Sequence, residues 1–201
     1  MSQLKLTADS GGGTVAIKGP ASTTGNAAIE LTVPGTGNST LATSATAGKI
    51  LQVVQTFKKD FFSTVTGNTL TEITGLNASI TKTSASNKIL IFVDLGYGRS
   101  GRDSSHFVLY EDSSELTEAN GTGATNDRFI SDYAHLTDTT SETYAWHNVS
   151  KKILIDGQND TNSHTYKVYV KSGTITFYLN RRAYSTSDST TSSITLMEVA
   201  A

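Results

Sequence analysis

From Lys49 onward, apolar residues recur with a period of two in short runs that end at turn-forming residues, the pattern of half-buried β-strands. The predicted strands are Ile50 to Phe57, Leu70 to Ile73, Leu76 to Ile80, Ile89 to Leu95, His106 to Tyr110, Phe129 to Tyr133, Tyr144 to Ile155, Tyr166 to Val170, Ile175 to Leu179 and Ile194 to Val199. Gly67-Asn68, Gly75, Asn87, Asp112-Ser113, Asn120-Gly121, Asp156-Gly157 and Ser172-Gly173 separate them, supplying positive φ or side-chain caps. No stretch sustains a 3.6-residue apolar period, so the predicted class is all-β: an antiparallel, jelly-roll-like β-sandwich. Ile89 to Val93 is apolar on both faces. It predicts a central strand covered by the second sheet on one side and by a neighbouring subunit on the other.

Residues 1–48 read differently. Leu4 and Leu6, then Val15 and Ile17, then Ile29 and Leu31 form short apolar stripes broken by Gly11-Gly12-Gly13, Gly19-Pro20 and Pro34. Each stripe holds two or three side chains, too few to stand alone in water. The stretch from Gly35 to Gly48 is small and polar, the composition of a connector. The division expected is an N-terminal attachment arm and linker over 1–48 and a sandwich over 49–201, with Leu4, Leu6, Val15, Ile17, Ile29 and Leu31 as the arm's attachment residues.

Composition sharpens this picture. Hydrophobic residues make up 36% and charged residues 17% of the 201 positions, while Ser and Thr fill more than a quarter, a balance suited to short strands and polar turns. With no cysteine, neither disulfides nor thiolate metal sites contribute, and stability falls to packing and subunit association. A closed homotrimer is the expected state, because a three-fold axis covers stripes that a monomer leaves open. The net charge of -2 provides no field for recruiting nucleic acid. The opening MSQLKLTADS lacks a secretion signal, and the longest apolar run, Ile89 to Leu95, contains Asp94 and is far below the ~20 residues of a membrane span. A soluble chain assembled in a cytoplasm, with no membrane insertion, is expected.

Candidate chemistry is sparse. Gly96-Tyr97-Gly98-Arg99-Ser100-Gly101 has the spacing of a dinucleotide-binding loop, but no helix follows to hold a pyrophosphate, so an inter-strand loop is expected. Asp156 to Asn162 resembles a calcium loop without the closing bidentate carboxylate. His106, His135, His147 and His164 show no metal-ligand spacing, and no G-x-S-x-G elbow marks a nucleophile. Asp103, Glu111, Asp112, Glu115, Glu118 and Asp132 sit in Ser/Gly-rich segments where carboxylates are usually solvated turn residues. The expectation is therefore no enzyme, no cofactor and no metal. Tyr97, Arg99, Arg102, Tyr133, Tyr144 and Trp146 are the amphipathic and planar groups that recognition surfaces use, and they form the expected recognition set.

Three blocks of sequence resemble a known group. Lys49 to Thr56, Thr71 to Thr81 and Ser86 to Ile91 resemble the opening strands of structural proteins from tailed phages of marine bacteria, of the cyanophage type. Thr165 to Tyr169, Gly173 to Arg181 and Ser193 to Val199 are similar to the closing strands of the same group, and Leu4 to Val15 with Pro20 to Thr24 looks like the attachment end of phage fibre proteins. The likeness is weak from Gly98 to Ser150. It implies a virion structural protein without catalytic residues, a tail fibre or fibre tip on the particle exterior. Such a protein binds other virion proteins through its arm and contacts host surface glycan or protein. The alternative is a capsid-decorating, collar or scaffold protein with contacts only inside the virion.

Overall fold

The computed structural model describes residues 3–7, 14–18, 49–123, 128–133 and 144–201. The chain divides into two compact units, Met1–Ala47 and Gly48–Ala201. In the first, β1 (Gln3–Thr7) and β2 (Thr14–Lys18) pair antiparallel, with Leu4 opposite Ile17 and Leu6 opposite Val15. Ile29, Leu31 and the predicted connector over 35–48 lie outside the described residues.

The second unit is an antiparallel β-sandwich. Its larger sheet is centred on β6 (Lys88–Arg99), with β10 (His147–Ile155) along one edge. The other edge of β6 is shared by β13 (Ser192–Val199) and β12 (Thr176–Leu179), backed by β3 (Ile50–Lys58) and β4 (Phe62–Val65) respectively. The smaller sheet runs β5 (Thr71–Thr81), β11 (Ser163–Ser172), β7 (Ser104–Glu111), with β8 (Ser114–Glu115) and β9 (Ile130–Tyr133) pairing with successive parts of β7. The alternation that predicts the strands also fills the core. Ile89, Ile91, Val93, Leu95 and Tyr97 of β6 meet Ile73, Leu76, Phe107, Leu109, Tyr166 and Val168 of the smaller sheet, all buried.

Three local features depart from the expected pattern. The two runs around Gly75 form one strand, β5, because Gly75 takes φ +83 inside it and the pairing register with β11 slips between Lys167 and Tyr169. The short strands β4 and β8 carry too few apolar residues to stand out in sequence. Of the Gly96–Gly101 stretch only Ser100 and Gly101 lie in an inter-strand loop: Gly96 to Arg99 lie within β6. A Cβ on Gly98 would sit 2.8 Å from both the Arg181 carbonyl oxygen and Arg182 Cα, and one on Gly96 would sit 2.3 Å from Thr190 Cγ2. These glycines let the loop after β12 lie directly against the strand.

Buried polar groups fasten the edges. Asn180, with φ +63, donates from Nδ2 to the carbonyls of Lys58 (2.8 Å) and Asp60 (2.9 Å) and accepts from Ser192 Oγ (2.7 Å), anchoring the start of that loop. Near the end of β13, the buried carboxylate of Glu198 accepts at Oε1 from Thr83 N (2.6 Å), Thr83 Oγ1 (2.8 Å) and Asn87 Nδ2 (2.6 Å), and at Oε2 from Gln52 Nε2 (2.7 Å). Burial opposes the charge of Glu198, but these four donors outweigh it and bring the pKa down to about 2.

Candidate interaction surface

The outer faces of the two sheets differ in chemistry. On the smaller sheet, Glu72, Asn77, Ser79, Thr165, Lys167 and Lys171 alternate with the core residues, around a stacked Tyr110–Tyr169 pair with ring centroids 4.0 Å apart. On the larger sheet, the strand registers line up Val53, Met197, Leu90 and Leu154 as one row across β3, β13, β6 and β10. The next row is Gln55, Thr195, Phe92 and Lys152, and the one after it Phe57, Ser193, Asp94 and Ser150. Val53 and Phe57 are each 56% exposed and Leu154 is 49% exposed. Among the described residues, every large apolar side chain classed as exposed belongs to the larger sheet or to the segments flanking it, and none to the smaller sheet. β6 is thus covered on one face by the second sheet, as its two-faced apolar pattern predicts, and is only half-covered on the other.

The upper part of this face is crossed by the loop that Gly96 and Gly98 admit. It brings Tyr184, 70% exposed, onto Tyr144, 44% exposed, with ring centroids 4.5 Å apart. Beside them the Arg181 guanidinium lies 4.1 Å from the centre of the Tyr178 ring and 5.8 Å from that of Phe61. Of the expected recognition set, Tyr144 is therefore exposed, Arg102 is exposed and Trp146 is half-buried. The side chain of Tyr133 lies outside the description.

Tyr97 and Arg99 are corrected: both are fully buried and take no part in a surface. They sit at alternate, inward positions of β6, where a strand continuing past Leu95 must place them. Arg99 Nη1 donates to the Asp103 carbonyl (2.9 Å), and Nη2 lies 3.3 Å from Asp132 Oδ2 and 3.2 Å from each ring nitrogen of His147. Tyr97 donates its hydroxyl to the same Asp132 carboxylate and stacks on His147 at 5.2 Å. Burial would raise the Asp132 pKa, yet hydrogen bonds from His147 and Tyr97 and the charge of Arg99 reverse the sign and set it at about 2. The cluster ties β6, β9 and β10 together at one end of the sandwich. Sequence reading missed it because its members are spread over some fifty positions with no local motif.

The other candidate groups also hold structure. Asp103 caps the turn beside Gly173, accepting from Ser104 N (2.7 Å) and Thr174 N (3.1 Å). Glu111 is buried and accepts from Tyr166 Oη (2.6 Å), whose own ionisation burial and that carboxylate push up. Glu111 thus departs from the expectation that the acids are solvated, whereas Asp112 and Glu118 are exposed as expected. In the supposed calcium loop, Asp156 pairs with Lys88 (2.8 Å), and Asp160 with His164 (2.8 Å), which also holds Asp112 (2.7 Å). His106 contacts Ser131 Oγ (3.0 Å), and His135 lies outside the described residues. No cluster of three or more metal-ligating acids and imidazoles occurs among the described residues.

No family model matches the sequence, and no curated protein is found as a relative. Among solved structures, the chain is similar to one in "Structure of infectious bursal disease virus Gx strain", at 13% identity and a TM-score of 0.40. The match covers 94% of this chain but 46% of that one, so this chain spans about half its length. A likeness that distant transfers no function from one chain to the other.

Proposed function

We propose that the chain is a non-enzymatic structural protein of a tailed-phage particle, an oligomeric tail-fibre or fibre-tip module. It attaches to other virion proteins through its N-terminal unit and meets the host surface through Tyr144 and Trp146. The observation that carries the reading is the asymmetry of the sandwich. One sheet is polar on its outside, and the other presents large apolar side chains over several strands, as an assembly module does. The engagement of Asp103, Glu111, Asp132 and Asp160 in holding backbone and neighbouring side chains agrees with a binding role. The link to a phage rests on the sequence blocks described above.

Burial of Tyr97 and Arg99 removes two members of the recognition set. That favours, as a second reading, a capsid-decorating or collar protein whose contacts all lie within the virion. Immunogold labelling of purified particles with antibody against residues 49–201 separates the two: label at fibre ends supports the first, label on the head or collar the second. Absence of the chain from purified particles overturns both. Loss of host-cell binding in Tyr144→Ala/Trp146→Ala, with the oligomer intact, is the expected mark of host contact.

A further inference from the structure

The open face of the larger sheet has the dimensions and chemistry of an interface. Four strands at about 4.8 Å spacing, followed over about seven residues at about 3.4 Å each, give a footprint of roughly 450 Å². Side-chain relief raises the accessible surface above this footprint, toward the ~800 Å² per partner in a standard interface. The face is also close to neutral. Its middle rows carry one base, Lys152, and one acid, Asp94, on the adjacent strands β10 and β6, one row apart. Both are exposed.

We propose that this face binds a second copy of the same chain, sheet against sheet. The proposal rests on the assembly reading above and gives it a two-fold contact in place of the expected three-fold one, since an isologous pairing does not build a closed trimer. With the sheet taken as flat, a two-fold axis lying in the contact plane between Lys152 and Asp94 sets each copy's Lys152 on the other's Asp94. The same axis brings Phe92 close to its own equivalent and lays Phe57 over Leu90 and Leu154 of the second copy. One operation thus satisfies both charges and covers the exposed apolar row, which is the self-complementarity an isologous contact requires. A partner of strong single-sign charge would meet one of the two groups unfavourably.

The test uses the full-length protein in light scattering and sedimentation. The wild type is expected at no less than twice its 21.3 kDa mass. Val53→Lys/Phe57→Lys, at positions already more than half exposed, is expected to dissociate it with an unchanged circular dichroism spectrum. Asp94→Lys alone is expected to weaken association about tenfold, and Asp94→Lys/Lys152→Asp to restore most of it, since swapping both charges rebuilds the contact. A 21.3 kDa monomer at about 100 μM, well above ordinary interface dissociation constants, overturns the proposal. So does an oligomer that survives Val53→Lys/Phe57→Lys, or a double charge swap that restores nothing. Particles that incorporate a monomeric chain would overturn the self-pairing while leaving the virion role standing.

Discussion

Replacing Glu198 with Gln removes a charge and reverses one hydrogen-bond polarity at the place where β13, β3 and the turn after β5 meet. The carboxylate accepts three bonds at Oε1 and one at Oε2. An amide must set its NH2 against at least one of these donors. The least costly choice faces Gln52, which could then turn its own amide, but only by giving up its bond to the Thr81 carbonyl. The shift from an ordinary 4.5 to about 2 corresponds to roughly 3 kcal/mol by linkage, and the three bonds at Oε1 that an amide oxygen can keep trim this to about 2 kcal/mol. Because the folded-state pKa is depressed, this stability is present above about pH 4.5 and is lost as the pH falls toward 2. Urea unfolding at pH 7 should place Glu198→Gln about 2 kcal/mol below wild type, and the gap should close as the pH approaches 2. Asp132, which also titrates near 2, cancels in the difference because both proteins keep it. Equal stabilities at pH 7, or a gap that does not change with pH, would refute the reasoning.

Gly98→Val should cost about 2 to 3 kcal/mol, since its Cβ meets backbone of Arg181 and Arg182 that cannot rotate away; thermal unfolding together with faster proteolysis near Tyr184 would register it. Tyr97→Phe removes a donor from Asp132 without changing core volume, and about 1 kcal/mol of stability should go with it in denaturant titration. His164 lies between Asp112 and Asp160, and the hydrogen bonds it donates to these carboxylates raise its pKa above 6.5. Its contribution of about 1 kcal/mol is therefore complete below about pH 6.5 and fades as the pH rises through the raised value. Wild type minus His164→Asn melting temperatures, followed from pH 6 to 9, should shrink toward zero.

Much of the sandwich is legible in the chain because period-two alternation and turn residues act locally. Tyr166 to Val170 and Ile194 to Val199 declare their inward faces without reference to anything else, and Asn68, Asp112 and Gly157 take the positive φ that their turns require. Where the reading falls short, the deciding partner is distant. Gly96 and Gly98 resemble a phosphate loop until Arg181 to Thr190 is seen to pack on them. Arg99 and Tyr97 look like surface groups because the end of β6 carries polar residues, and only Asp132 and His147, brought over from two other strands, make their burial affordable in free energy. The two-faced pattern of Ile89 to Val93 does anticipate that β6 has a second face to cover. Which neighbours share that face, Val53, Met197 and Leu154, depends on the pairing of four strands far apart in sequence.

The central claim is that this chain works as an oligomer whose sandwich owns a subunit contact. Light scattering on the full-length protein and on residues 49–201, which retain the whole two-sheet core, tests it most directly. Both should exceed the monomer mass. If both are monomers, the assembly reading is contradicted, and the apolar face of the larger sheet is left without a role.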